Sequence, residues 1–139
     1  MRAVLDPNVI ISGLLSRSGP PARLLEAWTR GAFELVVSES LLAELARALE
    51  YPKIAARISS AERSRVLELL RSEAEVAPDP GEPPPRESTD PGDNYLIALS
   101  ADQRAPLVSG DKHLTDLANE LPILTPRQCV DLLSSSPDS

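Results

Sequence analysis

Residues 2–15, RAVLDPNVIISGLL, put a carboxylate where the first apolar run stops. RAVL is short and does not alternate polar with apolar, the pattern of a strand covered on both faces. Asp6 follows it at once, then Pro7 and Asn8, and then a second apolar segment of helical character. The same unit recurs along the chain. FELVV (33–37), PLVSGD (106–111) and LPILTP (121–126) read as further short buried strands. Between them stand amphipathic segments of helix length: PPARLLEAWTRG (20–31), SESLLAELARALE (38–50), SSAERSRVLELLRSEAE (59–75) and DPGDNYLIALSADQ (90–103). Strands alternating with helices predict an α/β fold with three layers, α/β/α, around a mainly parallel sheet of four to five strands.

Composition sets the limits. The 139 residues are 42% hydrophobic and 25% charged, enough for one core without disulfides or structural zinc. Aromatic residues make up only 3%, so that core is aliphatic. The lone Cys129 excludes an internal disulfide and a multi-cysteine zinc site, and the lone His113 excludes a two-histidine metal site within one chain. His113 reads as the start of a short helix, and Trp28 as a residue packing its helix on the sheet. With no apolar stretch of membrane length and no signal-like start, the expectation is a cytoplasmic protein without a membrane segment. One domain is expected over residues 1–134, with a flexible tail over 135–139. The Pro-rich GEPPPRESTDPG (81–92) reads as a surface loop rather than a linker.

Ligands of open α/β sheets bind beyond the carboxyl ends of the strands. Asp6 and Asp111 each follow such an end directly. Glu44 lies about 60° from Leu41 on the helical wheel, at the rim of the apolar face of Leu41, Leu42, Leu45, Ala48 and Leu49. Asp93 shares a wheel sector with Leu96, Ile97 and Ser100. Four acids from four segments, aimed one way, suit Mg²⁺ or Mn²⁺, hard cations that take oxygen ligands. Each acid taken singly has a structural role as well. Asp6 can cap the helix after it, Glu44 can pair with Arg47 or Arg23, Asp93 can complete a capping box begun by Asp90, and Asp111 can cap DKHLTDLAN.

In order along the chain, VLDPNVIISGLL, SESLLAELARAL, DPGDNYLIALSA and PLVSGDKHL resemble the acidic motifs of PIN-domain ribonucleases, in particular the toxin-like PIN proteins of prokaryotic toxin–antitoxin systems. The resemblance covers residues 1–134 and implies a PIN-like fold. It implies that Asp6, Glu44, Asp93 and Asp111 are the catalytic acids, with Asp6, Asp93 and Asp111 holding the Mg²⁺ or Mn²⁺. Asn8 and Ser109 would orient them by hydrogen bonds, and Asp90 is an additional acid in the third motif. Pro7 departs from the family, where Thr or Ser is usual. The activity implied is metal-dependent cleavage of single-stranded RNA to 5′-phosphate and 3′-hydroxyl ends. The partners implied are the RNA, a cognate antitoxin and a second copy in a homodimer.

A net charge of −7 argues against a phosphate-binding surface. Against that stands one basic arm, where Arg47, Lys53, Arg57, Arg63, Arg65 and Arg71 hold nearly half of the 14 basic residues. The first five are the candidates for RNA contact; a solvated face of mixed charge is the equal alternative for the arm. Two other functions compete. One is a PIN-like module that binds RNA or protein without turnover. The other is a phosphatase with an Asp nucleophile, which would want a second acid where Asn8 stands.

Overall fold

Burial on both faces decides the two longest strands. β1 (Arg2–Leu5) and β2 (Glu34–Val37) are each buried at their last three positions, as a central parallel strand must be. Three shorter strands complete the sheet: β3 (Glu75–Val76), β4 (Leu107–Val108) and β5 (Ile123–Leu124). The computed structural model describes residues 1–135, and in it the strands run in the order β3-β2-β1-β4-β5. Every pairing is parallel, with Ala3 opposite Leu35 and Val4 opposite Leu107. The sheet therefore has five strands.

Helices flank it. They are α1 (Pro7–Leu15), α2 (Pro20–Thr29), α3 (Glu39–Leu49), α4 (Pro52–Ala55), α5 (Ser60–Glu73), α6 (Asn94–Gln103), α7 (Lys112–Thr115) and α8 (Pro126–Ser135), with a 3-10 turn over Pro91–Asp93 before α6. Serine caps start α3 and α5: the Ser38 hydroxyl accepts from Leu41 N–H and that of Ser59 from Glu62 N–H. α6 lies against β1 and β4 and is buried without a break from Leu96 to Ser100. The core is aliphatic, centred on Leu5, Leu35, Leu45, Leu96, Leu99 and Leu107. Trp28 is half-buried against it. Along α5, Leu70 is buried, Val66 and Leu67 pack against the core, and Leu69 is exposed.

Two elements differ from the sequence reading. β3 lies at the end of a segment that reads as helix (59–75), and α4, begun by Pro52, lies between two segments of helix length where the sequence reading has no element. Pro at the first helical position lacks an N–H that would have no partner there, so it starts α4 as readily as it stops α3. The same rule accounts for Pro7, which is the first residue of α1. Of the tail expected over 135–139, Ser135 is the last residue of α8 and the others lie outside the described residues. Among the described residues no helix is long and apolar enough to cross a membrane.

α1 and α2 meet closely at Gly13. A Cβ there would stand 2.6 Å from Leu25 Cδ1 and 2.8 Å from the Pro21 carbonyl oxygen, which cannot move aside as a side chain can. Gly13→Ala would gain helix propensity of up to about 1 kcal/mol, but overpacking costs about 1–3 kcal/mol, so the net expectation is destabilisation. Urea unfolding should show a lower midpoint at unchanged slope.

Candidate metal centre

The sheet order reverses direction between β1 and β4, and at such a point the chain leaves a crevice beyond the strand ends. Asp6 follows β1 and Ser109 follows β4, each tied to the neighbouring strand. Asp6 N–H donates to Val108 C=O at 2.9 Å, and Ser109 N–H to Leu124 C=O at 2.9 Å.

Asp6 is 3% exposed, and both its oxygens are occupied. Oδ1 accepts from Asn8 N–H at 2.9 Å, which caps α1, and Oδ2 accepts from the Ser109 hydroxyl at 2.8 Å. Burial pushes Asp6 above the usual carboxylate range, while these two hydrogen bonds pull the other way. The Ser109 oxygen also accepts from Asp111 N–H at 3.0 Å. One buried hydroxyl thus joins the Asp6 carboxylate to the backbone that presents Asp111. Ser109→Ala would leave Asp6 Oδ2 buried without its donor and Asp111 N–H without its acceptor. The expected cost is about 1–3 kcal/mol, read as a lower denaturation midpoint.

Asp93 closes the 3-10 turn at the mouth of α6. It completes no capping box, because Asp90 N–H donates to Ser88 Oγ at 3.1 Å instead. Its Oδ2 is buried and has no hydrogen-bond partner among the described residues. Burial first, and then the charges of Asp111, Asp90 and Asp6, push Asp93 up to about 7. Carboxylate oxygens of Asp90, Asp93 and Asp111 lie within 4.8 Å of one another. Three like charges at that spacing repel unless a proton or a cation lies among them.

Two of these acids also serve the backbone. Asp90 Oδ1 accepts from Gly92 N–H at 3.0 Å, and Asp111 Oδ1 accepts from His113 N–H at 2.9 Å to cap α7. Those bonds fix the carboxyl groups and leave further oxygen lone pairs facing the cluster. The loop carrying Asp90 is held by Ser88 N–H donating to Asn94 Oδ1 at 2.8 Å and by Thr89 Oγ1, 2.7 Å from His113 Nδ1. A hard divalent cation fits this donor set: oxygens only, one of them buried and unpartnered, and negative charge in excess.

Asp6 and Glu44 stay outside the group of three. Glu44 is half-exposed and pairs with Arg47 at 2.7 Å, one turn along α3. Tyr95 stands among Asp6, Glu44, Asp93 and Arg47, and burial, then the three acids, raise its phenol above the ordinary range. Sequence reading passed over Tyr95; its place two residues after Asp93 was the available signal. In the basic arm Lys53 and Arg65 are exposed, and Arg57 donates to the Leu15 carbonyl at 3.1 Å. Arg71 is bound to Glu39, holding that carboxyl below its usual range. Arg63 is largely covered, donating to Ile58 C=O at 2.6 Å beside Glu50.

A larger hollow, about 760 Å³, opens between Trp28, Leu69 and Glu73 at the other end of the sheet, where β2 begins. It contains none of the clustered acids.

No curated protein matches the chain in sequence. The model of one family, described as PIN domain, matches residues 2–113, a span that runs from the first strand through Asp6, Glu44, Asp90, Asp93 and Asp111. With most of its length matched, and its acids gathered where the order of the parallel strands reverses, the chain belongs to the PIN domain family, whose members are in general nucleases.

Proposed function

We propose that the protein is a Mg²⁺- or Mn²⁺-dependent endoribonuclease that cleaves single-stranded RNA, and that it is the toxin of a toxin–antitoxin pair. The observation that carries the nuclease reading is the Asp90–Asp93–Asp111 cluster with its buried Asp93 oxygen, unpartnered among the described residues. Asp93 and Asp111 would hold the ion, with Asp90 completing the set on the loop side. When bound, the ion would supply an activated water and neutralise charge on the departing oxygen. Asp93, raised to about 7 without metal, would hold the ion in its deprotonated form. Asp6 acts through Ser109, whose hydroxyl fixes the turn that aims Asp111. Asn8 contributes the backbone N–H that keeps Asp6 oriented. Glu44 and Arg47 stand beside Tyr95 on the same side as Asp6 and Asp93, where a carboxylate can accept a proton and a guanidinium can meet a flanking phosphate. Lys53 and Arg65, exposed on α4 and α5, which both pack on α3, would add phosphate contacts.

The toxin reading rests on the order of the four motifs and on their resemblance to toxin-like PIN proteins. It carries with it an antitoxin partner, a homodimer and a cytoplasmic setting. The test is a single-stranded RNA incubated with the full chain, with and without Mn²⁺ and with a chelator. Metal-dependent products ending in 5′-phosphate, lost in Asp93→Asn and Asp111→Asn, are expected. Wild type that leaves the RNA intact, or variants that cut as fast as wild type, would overturn the nuclease reading. Growth arrest on expression, absent with Asp93→Asn, is the result expected of a toxin.

A further inference from the structure

Beside the acids lies a hollow of about 400 Å³, within the range of roughly 300–1,000 Å³ that small-molecule sites occupy. Asp111 belongs both to its rim and to the acid cluster, so whatever fills it is joined to whatever the acids act on. Asn8, Val9 and Ser12 of α1 form one wall, and Pro21 and Pro126, at the starts of α2 and α8, supply apolar surface. Asn8 and Ser12 are exposed, and among the described residues neither the Asn8 carboxamide nor the Ser12 hydroxyl has a hydrogen-bond partner. Gly110 completes the lining. Its φ is not in the left-handed region and a Cβ built on it would meet nothing within 4 Å. Neither the turn nor the packing demands glycine there; its lack of a side chain leaves room.

We infer that this hollow seats one nucleobase of the substrate strand, the base next to the phosphate that lies over the acids. The inference rests on the nuclease reading for the identity of that strand. Single-stranded nucleic acid offers splayed bases with two apolar faces and a hydrogen-bonding edge. The half-buried rings of Pro21 and Pro126 match the faces. A carboxamide, donor and acceptor side by side, matches the edge and discriminates among bases. Charge points the same way: beside Asp111 and its acidic neighbours a neutral base enters without the repulsion that a second phosphate would meet. Base selection at one position beside the cut follows.

The experiment has two readouts on the full chain. In the first, an RNA library of random sequence is digested with Mn²⁺ and the ends are sequenced. Wild type is expected to enrich one base at a single position beside the cut, and Ser12→Leu, which fills the hollow from an exposed helix position, to reduce that enrichment about tenfold. Calorimetric Mn²⁺ affinity equal to wild type confirms that the variant is folded. In the second, the four nucleoside 5′-monophosphates are titrated with Mg²⁺ present and amide shifts are followed by NMR. Shifts at Val9, Ser12 and Gly110, lost in Ser12→Leu, support the site. Enrichment unaltered by Ser12→Leu, or shifts that bypass these amides, would sink it. Nucleotide binding in the hollow by a protein that cuts nothing would keep the site and overturn the nuclease, whereas cutting without base selection would do the reverse.

Discussion

The Asp93→Asn protein is expected to cut RNA at least about 100-fold more slowly than wild type with Mn²⁺ present, and to melt at a higher temperature when metal-free. Both results come from one carboxyl group. In the wild type Asp93 is half-buried among Asp90, Asp111 and Asp6, with one oxygen unpartnered among the described residues, an arrangement that a proton or a cation makes favourable. Asparagine keeps the shape and removes the charge. It therefore loses the ion and, in the absence of the ion, relieves the repulsion. The gain at pH 8 should be roughly 2–4 °C in Tm by scanning calorimetry without metal, should shrink as pH falls below 7, and should vanish only below about pH 4, where the carboxyl is neutral in the folded and the unfolded chain alike. A drop in Tm at pH 8 would mean that the carboxylate stabilises the fold by itself and is not held for a ligand.

Metal affinity should depend on pH with a break near 7. Asp93 titrates at about 7 without metal, raised by burial and by its acidic neighbours, so below that value the ion must displace a proton. Apparent Mn²⁺ affinity is expected to fall about tenfold for each pH unit below 7 and to level off above it. Between pH 8 and pH 5 the loss is of the order of 100-fold. The stability of the metal-free chain runs the other way. The folded form holds a proton that the unfolded chain releases near pH 4, so stability from this group is fully present below that pH and is lost as pH rises through 7. Calorimetry in buffers of different ionisation heat counts the proton: about one released per ion near pH 6 and almost none at pH 8. An affinity flat from pH 5 to 8 would remove Asp93 from the site.

The sequence showed the strand ends and the acids after them, because a buried parallel strand is a continuous apolar run and Asp6 and Asp111 are adjacent to two of them. It could not show β3. Two exposed residues, Glu75 and Val76, pair only with β2 and bury too little to leave a pattern. The partition among the acids was also beyond it. Spacing cannot tell that Asp6 spends both oxygens on Asn8 and Ser109, or that the Asp90 loop folds back to join Asp93. A helical wheel gives the direction of a Cβ but not the reach of a long side chain; taken alone Glu44 reads as a partner of Arg47 or Arg23, and it pairs with Arg47. Each capping role proposed for Asp6 and Asp111 from sequence is present in the structure, and each is compatible with service at the crevice. A carboxylate that caps a helix through one oxygen is fixed in place, and that fixity is what a metal ligand needs.

The strand order also sets a timetable. β3, β2 and β1 form a half-sheet that is complete in the chain once Val76 has been made, but β1 cannot meet β4 until Val108 exists. Asp6 and Ser109 are 103 positions apart, and the contact between them is among the most distant along the chain. A polypeptide growing from its N-terminus can thus order its first half early, while the acids stay separate until Asp111 has been added. Chains that stop short carry a bare β1 edge and no gathered site. Synthesis itself withholds the chemistry until the fourth acid has been made.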